Sequence, residues 1–114
     1  MATRFMVSLP NPEAARGPDP ALSFSAVSAE GFAEELQAAL RAPALFERWR
    51  QMQPEPDEVN PALGATDADA TVAGSQRDLR IDLDIRTDLP GDIIKQRLRW
   101  LAGSGWELRD VRAA

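Results

Sequence analysis

Two aspartates separated by one residue, Asp82 and Asp84, are the first candidates for chemistry in this chain. Apolar and charged residues alternate around them, so both carboxylates should leave one face of a strand, with Cα atoms about 6.6–7 Å apart. Carboxylates paired in this way can act as acid and base in glycoside hydrolysis or share a Mg²⁺ ion. Catalysis requires a cleft that makes one carboxyl a weaker acid than the other, whereas Arg80 and Arg86 favour the ionised form of both. We therefore expect a solvated face whose charges pair across strands.

A template for a calcium-binding loop also fits part of the sequence. Five residues fall at its ligand positions 1, 3, 5, 9 and 12: Asp67, Asp69, Thr71, Ser75 and Asp78. Position 6, which requires glycine, is Val72, and position 12, which requires a bidentate glutamate, is Asp78. The sequence therefore predicts an acidic loop here and no metal site.

Residue types that are missing exclude several function classes. The 114 residues include no cysteine, histidine or tyrosine, and Lys95 is the only lysine. A structural zinc site is nearly excluded, because cysteine and histidine are its usual ligands. Nucleophiles of the Ser-His-Asp or Cys-His type, disulfides and thiolate-bound iron–sulfur clusters within this chain are excluded outright. Phosphate-binding motifs of the GxGxxG or Walker type are absent as well. We expect no cofactor.

Three tryptophans lie at positions that favour burial: Trp49, Trp100 and Trp106. Trp49 has a second interpretation, because it lies in a short amphipathic segment with Phe46 and Met52 and is flanked by Arg48 and Arg50. Aromatic residues, methionine and arginine are favoured at protein interfaces. Trp49 is therefore also a candidate contact for a partner.

Period-two alternation predicts four strands. The clearest is 79–86, where Leu79 begins a row of four aliphatic residues that alternate with charged ones. This pattern is typical of a strand with one face on the core and one in water. The other predicted strands are 5–9, 22–27 and 106–112. In the last of these, Asp110 breaks the alternation and predicts a bulge or fraying.

Apolar periodicity predicts three helices. One begins after Ser28, a suitable N-cap, and a shorter one spans 43–52. The third begins near Pro90 and ends at Gly103, which suits the left-handed position that follows many helices. The predicted order is β-β-α-α-β-α-β.

The whole chain, 1–114, is expected to form a single small α+β domain with a flexible acidic loop at 54–76. Helices with one apolar stripe and strands with one polar face predict a two-layer sandwich. We expect a four-stranded sheet, mixed or antiparallel, with two to three helices on one face. The nearest common arrangement is a ferredoxin-like or split β-α-β variant.

Net charge and hydropathy indicate which compartment and which classes of partner to expect. The net charge is −5, which argues against non-specific nucleic-acid binding. No apolar run approaches the length of a membrane span, and residues 1–7 lack the apolar stretch of a secretory signal. These features predict a cytoplasmic protein without membrane contact.

The leading functional hypothesis is a non-catalytic protein-interaction or self-associating module. It follows from the missing catalytic residue types, a polar sheet face that is open, and a short helix that carries a tryptophan. Its partner would be another protein or a second copy of the chain. The candidate contacts are Arg80, Asp82, Asp84, Arg86 and Trp49.

Two other function classes stay open. A binder of small molecules or nucleotides would gather arginines around a concave pocket, with candidates Arg80, Arg86, Arg97 and Arg109. A carboxylate- or metal-dependent enzyme would act through Asp82 and Asp84 in a deep cleft. Small size and acidity alone would also suit a secretion-type chaperone.

Overall fold

The computed structural model describes residues 2–114 as four strands and three α-helices with short 3₁₀ turns. The strands are β1 (Thr3–Leu9), β2 (Thr71–Arg77), β3 (Arg80–Thr87) and β4 (Glu107–Ala113). The α-helices are α1 (Ala29–Arg41), α2 (Ala44–Gln51) and α3 (Gly91–Ala102). The 3₁₀ turns span Pro12–Ala14, Pro56–Glu58 and Pro61–Gly64.

All strand pairs are antiparallel, and the sheet order is β2-β3-β1-β4. β3 lies between β1 and β2, the two strands that α1 and α2 connect. β1 in turn lies between β3 and β4, which α3 connects. This is the split β-α-β arrangement of ferredoxin-like sheets. The α+β class expected from the sequence is thereby confirmed, with an antiparallel sheet and three helices.

The alternating pattern of β3 is confirmed except at its first predicted residue. Ile81, Leu83 and Ile85 are at most 1% exposed and belong to the core. Leu79, by contrast, is 86% exposed in the two-residue turn between β2 and β3. The turn begins at Asp78, whose φ of 55° lies in the left-handed region that aspartate tolerates better than most residues. The strand therefore begins at Arg80.

The predicted strand at 22–27 is wrong, because this segment is irregular and lies outside the sheet. Alternate side chains such as Phe24 are buried, which produces the strand-like pattern. The amide of Phe24, however, donates to the carbonyl of Leu101 at the end of α3 (2.8 Å). The amide of Ala26 donates to the carboxylate of Glu35 in α1 (2.7 Å). The segment is thus held by helices and not by a neighbouring strand.

The fourth strand lies instead in the segment 54–76, which the sequence predicted to be a loop. Two 3₁₀ turns occupy the first half of this segment, and β2 begins at Thr71 and extends one residue past its end. β2 pairs with β3 along its whole length. On the outer edge of β2, the amide of Val72 donates to the side chain of Gln37 in α1 (3.0 Å). The order of elements is therefore β-α-α-β-β-α-β.

Helix boundaries follow the sequence signals closely. The hydroxyl of Ser28 accepts a hydrogen bond from the amide of Gly31 at 3.0 Å, as expected of an N-cap. Pro90 directly precedes α3, and Gly103 follows it with a φ of 62°. The predicted start of the first helix and both ends of the third are confirmed.

β4 begins at Glu107, one residue later than predicted, and pairs with β1. Its register shifts between Met6, which faces Asp110, and Val7, which faces Leu108. One residue of β4 is therefore unmatched, which defines a β-bulge. The irregularity predicted near Asp110 is confirmed.

One hydrophobic core joins the three α-helices to the sheet. β1 and β3 contribute their alternate apolar residues to it, so the opposite face of each strand carries polar side chains, apart from Met6 of β1. Within residues 2–114, the helices are all too short or too polar to cross a membrane.

Candidate functional site

The sheet face opposite the core collects four of the five predicted site residues, namely Arg80, Asp82, Asp84 and Arg86 of β3. Strand pairing brings residues of the other three strands to the same face. We call this surface the open face. Its members are Arg4, Met6, Ser8, Thr71, Ala73, Ser75, Arg77, Arg80, Asp82, Asp84, Arg86, Glu107, Arg109, Asp110 and Arg112.

A hollow of about 390 Å³ lies in the open face. Its charged and hydroxyl lining residues are Arg4, Ser8, Ser75, Arg77, Arg80, Asp82, Asp84 and Arg109. Of the arginines that the pocket hypothesis named, Arg80 and Arg109 line the hollow, while Arg86 lies outside its lining. The hollow therefore draws its arginines from all four strands and not from β3 alone.

Asp84 is held by an arginine from the neighbouring strand. The Nε and Nη2 atoms of Arg4 donate to the two carboxylate oxygens of Asp84 at 2.9 and 2.7 Å. This bidentate contact lowers the pKa of the Asp84 carboxyl, and the nearby charge of Arg86 lowers it as well. Asp84 therefore stays ionised at neutral pH and cannot donate a proton there.

Asp82 has a different set of partners. Its Oδ1 atom accepts a hydrogen bond from the hydroxyl of Ser8 at 2.8 Å and lies 3.2 Å from Nε of Arg80. Its other oxygen lies 3.6 Å from Nε of Arg77. Ser8 is only 3% exposed although it lies on the polar side of β1. The carboxylate thus faces three donors.

The two carboxylates are therefore engaged as acceptors for arginine and serine. An acid–base pair requires one group that can hold a proton near the operating pH, and the contacts of Asp84 have the opposite effect. Within residues 2–114, no cluster of three or more acidic side chains is arranged to hold a metal ion. The chemistry that this arrangement supports is the recognition of charged groups.

Trp49, the fifth predicted site residue, lies on α2 and not on the open face. Its ring stacks on that of Trp100, with centroids 4.8 Å apart and an angle of 23° between the planes. The ring of Phe46 lies 5.9 Å away on the same helix. Trp49 is partly buried against the hydrophobic core, so packing accounts for much of its surface. A role as a partner contact stays a prediction.

Arg97 is not part of the pocket that the sequence suggested, because it is fully buried on α3. Its guanidinium donates to the carbonyls of Leu63 and Ala65 at 3.1 Å each and to the side chain of Gln96. The group also lies 5.1 Å from the centre of the Trp100 ring. Burial lowers the pKa of Arg97 to about 10, so it is still charged at neutral pH.

The calcium template does not describe the segment around Asp67, since its later positions belong to β2. The Asp67 carboxylate instead accepts hydrogen bonds from the amides of Asp88 (3.0 Å) and Asp69 (2.9 Å) and from the Thr87 hydroxyl (2.7 Å). The bond from the Asp88 amide is the largest of the effects that lower the pKa of Asp67. The carboxylate joins the start of β2 to the end of β3.

Asp67→Ala is expected to lower the free energy of unfolding by about 1–2 kcal/mol at neutral pH, because three donors lose their acceptor. The pKa of Asp67 is lower in the folded chain than its ordinary 3.8. Its contribution is therefore complete above that value and is lost as the pH falls through the folded pKa. Urea unfolding of both proteins between about pH 7 and pH 3 should show the difference shrinking at the acid end. Asp69→Ala is the matched control, and an equal loss for both variants would contradict the assignment.

Sequence reasoning missed Arg4, Ser8 and Arg77 as members of the site. A signal was present for two of them, because Arg4 and Ser8 alternate with the apolar residues of the first strand. They are polar residues on a half-buried strand, and therefore face away from the core. Placing them beside Asp82 and Asp84 also requires knowing that β1 adjoins β3, which the alternation does not reveal.

The function of the open face has to be argued from its chemistry. It presents a shallow hollow surrounded by arginines from four strands, with carboxylates that are already ion-paired. Comparisons with models of protein families, with curated proteins and with solved structures found no match to this chain.

Proposed function

We propose that this chain is a non-catalytic binding module whose open face docks an acidic segment of a partner protein. The observation that carries the proposal is a local excess of positive charge. The open face has six arginines and four carboxylates, although the whole chain has a net charge of −5. A positive surface on an acidic protein steers negatively charged partners to one place.

Accessibility supports the same function. Arg80 and Arg86 are exposed on β3, and β2 beside them has an exposed outer face. Arg86 has no side-chain hydrogen bond or ion pair within residues 2–114, although its charge acts on nearby Asp84, so its guanidinium can donate hydrogen bonds to a carboxylate from outside. Arginine suits this task, because its planar group binds carboxylates through two parallel hydrogen bonds and is favoured at interfaces.

A binder of small anions or nucleotides is the second candidate. Arg4, Arg77, Arg80 and Arg109 line the hollow of about 390 Å³, a volume that suits a small ligand. Two of these arginines are already neutralised, however, since Arg4 binds Asp84 and Arg109 lies 3.2 Å from Glu107. Arg77 and Arg80 share the single carboxylate of Asp82, and Arg86, which has no ion pair within residues 2–114, lies outside the hollow. The excess positive charge therefore extends beyond the hollow, which favours a larger and more extended partner.

The proposal is tested by NMR titration of the labelled protein with hexaglutamate, inorganic phosphate and adenosine triphosphate. The peptide should shift amides of β1, β2 and β3. The double variant Arg80→Glu, Arg86→Glu should weaken peptide binding about tenfold or more, since both changes replace attraction by repulsion. The matched control is Lys95→Glu, Arg99→Glu, which makes the same change in net charge on the exposed side of α3.

Each outcome decides between the candidates. Equal weakening by both double variants would mean that net charge and not the open face attracts the peptide. Shifts around the hollow with phosphate or the nucleotide, and none with the peptide, would favour the small-anion binder. No shifts with any of the three probes would contradict both functions.

A further inference from the structure

The outer edge of β4 has the features of an unused pairing surface. β4 is the last strand of the sheet, and within residues 2–114 it pairs with β1 alone. The amide of Ala114 donates to the carbonyl of Ala2 at 3.2 Å. Because alternate residues of a strand direct their backbone groups to the same side, the even-numbered residues at this end of β4 direct their amides and carbonyls toward β1. Val111 therefore directs its amide and carbonyl outward. Its amide is met by the carboxylate of its own neighbour Asp110 at 2.9 Å.

Two partly exposed apolar side chains lie along the outer edge of β4. Leu108 and Val111 lie on the side of the sheet that faces the helices, opposite Val7 and Phe5 of β1. They are nevertheless 37% and 47% exposed, because the helices do not extend over β4. An exposed strand edge with apolar residues is a template for pairing with another chain.

We propose that a second copy of this chain pairs with the β4 edge in antiparallel orientation, with Val111 of each copy opposite the other. The two residues then exchange two backbone hydrogen bonds, because each directs both its amide and its carbonyl outward. Their side chains meet on the helix side of the joint sheet and cover each other. Two four-stranded sheets become one sheet of eight strands.

Charge selects this register. With the two Val111 residues opposite each other, Asp110 faces Arg112 of the second copy, and Arg112 faces its Asp110. Sliding one copy along the other by two residues would place Asp110 opposite Asp110 of the second copy, or Arg112 opposite its Arg112. Like charges directly opposite each other are destabilising. A shift by a single position would send the charged side chains to the apolar side. The self-complementary order of Asp110, Val111 and Arg112 thus fits a second copy of the same strand.

In the monomer, the two charged groups that would pair across the interface already contact each other on one face of β4. Arg112 binds Asp110 within its own strand, through Nε and Oδ2 at 2.5 Å, and both side chains are partly exposed. In the dimer each group exchanges its partner for the equivalent group of the second copy. The bulge in β4 ends regular pairing on the side of Leu108, so we expect a short interface and association that depends on concentration.

This inference is independent of the proposed function, since it concerns the strand edge and not the binding of acidic partners. Sedimentation velocity of the whole chain from micromolar to millimolar concentration should show a monomer–dimer equilibrium. Asp110→Arg and Arg112→Asp should each raise the dissociation constant at least about tenfold, because each places like charges opposite each other. An equimolar mixture of these two variants should associate like the natural chain, because every pair is again of opposite charge.

The mixture distinguishes pairing at β4 from a fold defect and from a general change in net charge, because mixing would repair neither of those. Circular dichroism checks that each variant is folded. A natural chain that is monomeric at every concentration would overturn the proposal. So would single variants that dimerise as well as the natural chain, since another surface would then be responsible. Asp57→Arg, a change at an exposed site far along the chain, is the control for charge reversal and should leave the dimer intact.

Discussion

Replacing Gly74 with alanine is expected to lower the free energy of unfolding by about 3 kcal/mol, which is the upper part of the usual range for overpacking. A Cβ atom at Gly74 would lie 2.3 Å from the carbonyl oxygen of Ala29 and 2.9 Å from its carbonyl carbon. Both atoms belong to the backbone at the first residue of α1, so no side-chain rotation can relieve the contact. The helix would have to move away from β2, which would loosen the packing of Ala33 as well.

Chemical denaturation of the natural chain and of two glycine variants measures this effect. Gly91→Ala is the matched control, because a Cβ atom there would meet only the ring of Phe5, at an ordinary 3.6 Å. Gly91 is also the first residue of α3, where alanine should be neutral or stabilising by several tenths of a kcal/mol. Equal stabilities for the two variants would mean that α1 does not lie as close to β2 as Gly74 indicates.

The close approach at Gly74 also explains why β2 was hidden in the sequence. Glycine and alanine at 73–74 and the polar residues around them resemble a loop, since glycine and small residues are depleted in most strands. They form a strand here because β3 offers a complete pairing edge and α1 requires a small residue beneath it. β3, in contrast, was predictable because its alternation of aliphatic and charged residues needs no knowledge of its neighbours.

The irregular segment at 22–27 is the opposite case. Its alternation is real, with Leu22 and Phe24 buried, but it arises because a chain without strand partners lies against the end of α3 and the side of α1. Periodicity reports which side chains are buried and does not report which groups satisfy the backbone. The hydrogen bonds to Leu101 and Glu35 are contacts between distant parts of the chain, and local sequence does not encode them.

The candidate site was predictable only along one strand. The charged residues of β3 follow from its own pattern, whereas the partners Arg4 and Ser8 lie more than 70 residues away in sequence. Their position depends on the sheet order. The proposed pairing of two copies through β4 would join their open faces into one surface. It would thereby double the number of arginines available to an acidic partner.

Arg97 shows how a charged residue can be misread although its position is informative. It lies four residues after Ile93 and four before Leu101, both buried on α3, so helical spacing places it on the apolar face. Charged residues are rarely buried without a partner of opposite charge, and from the sequence Arg97 was instead a candidate for lining a binding pocket. In the structure the Nη atoms of the guanidinium donate to the carbonyl groups of Leu63 and Ala65 in the segment before β2, whereas its Nε is buried without a hydrogen-bond partner in the described residues.

Arg97→Ala is expected to lower the free energy of unfolding by about 3–4 kcal/mol. The change leaves a cavity beside Trp100 and removes the donors to the carbonyls of Leu63 and Ala65. Urea unfolding measures the loss, and hydrogen exchange locates it. The amide of Ala65, which bonds to the carbonyl of Ala62 at 3.3 Å, should exchange faster than in the natural chain.

Arg97→Met separates packing from hydrogen bonding, because methionine keeps most of the length of the side chain but has no donor. It also removes a buried positive charge that no carboxylate pairs with in the described part of the chain. Removing such a charge offsets part of the lost hydrogen bonding, so methionine should cost less than half of what alanine costs. Arg99→Ala, on the exposed side of α3, should change stability by less than about 0.5 kcal/mol. If Arg97→Ala were equally mild, Arg97 would not fasten the segment before β2 to the helix, because a side chain that holds two structural elements together cannot be removed without loss.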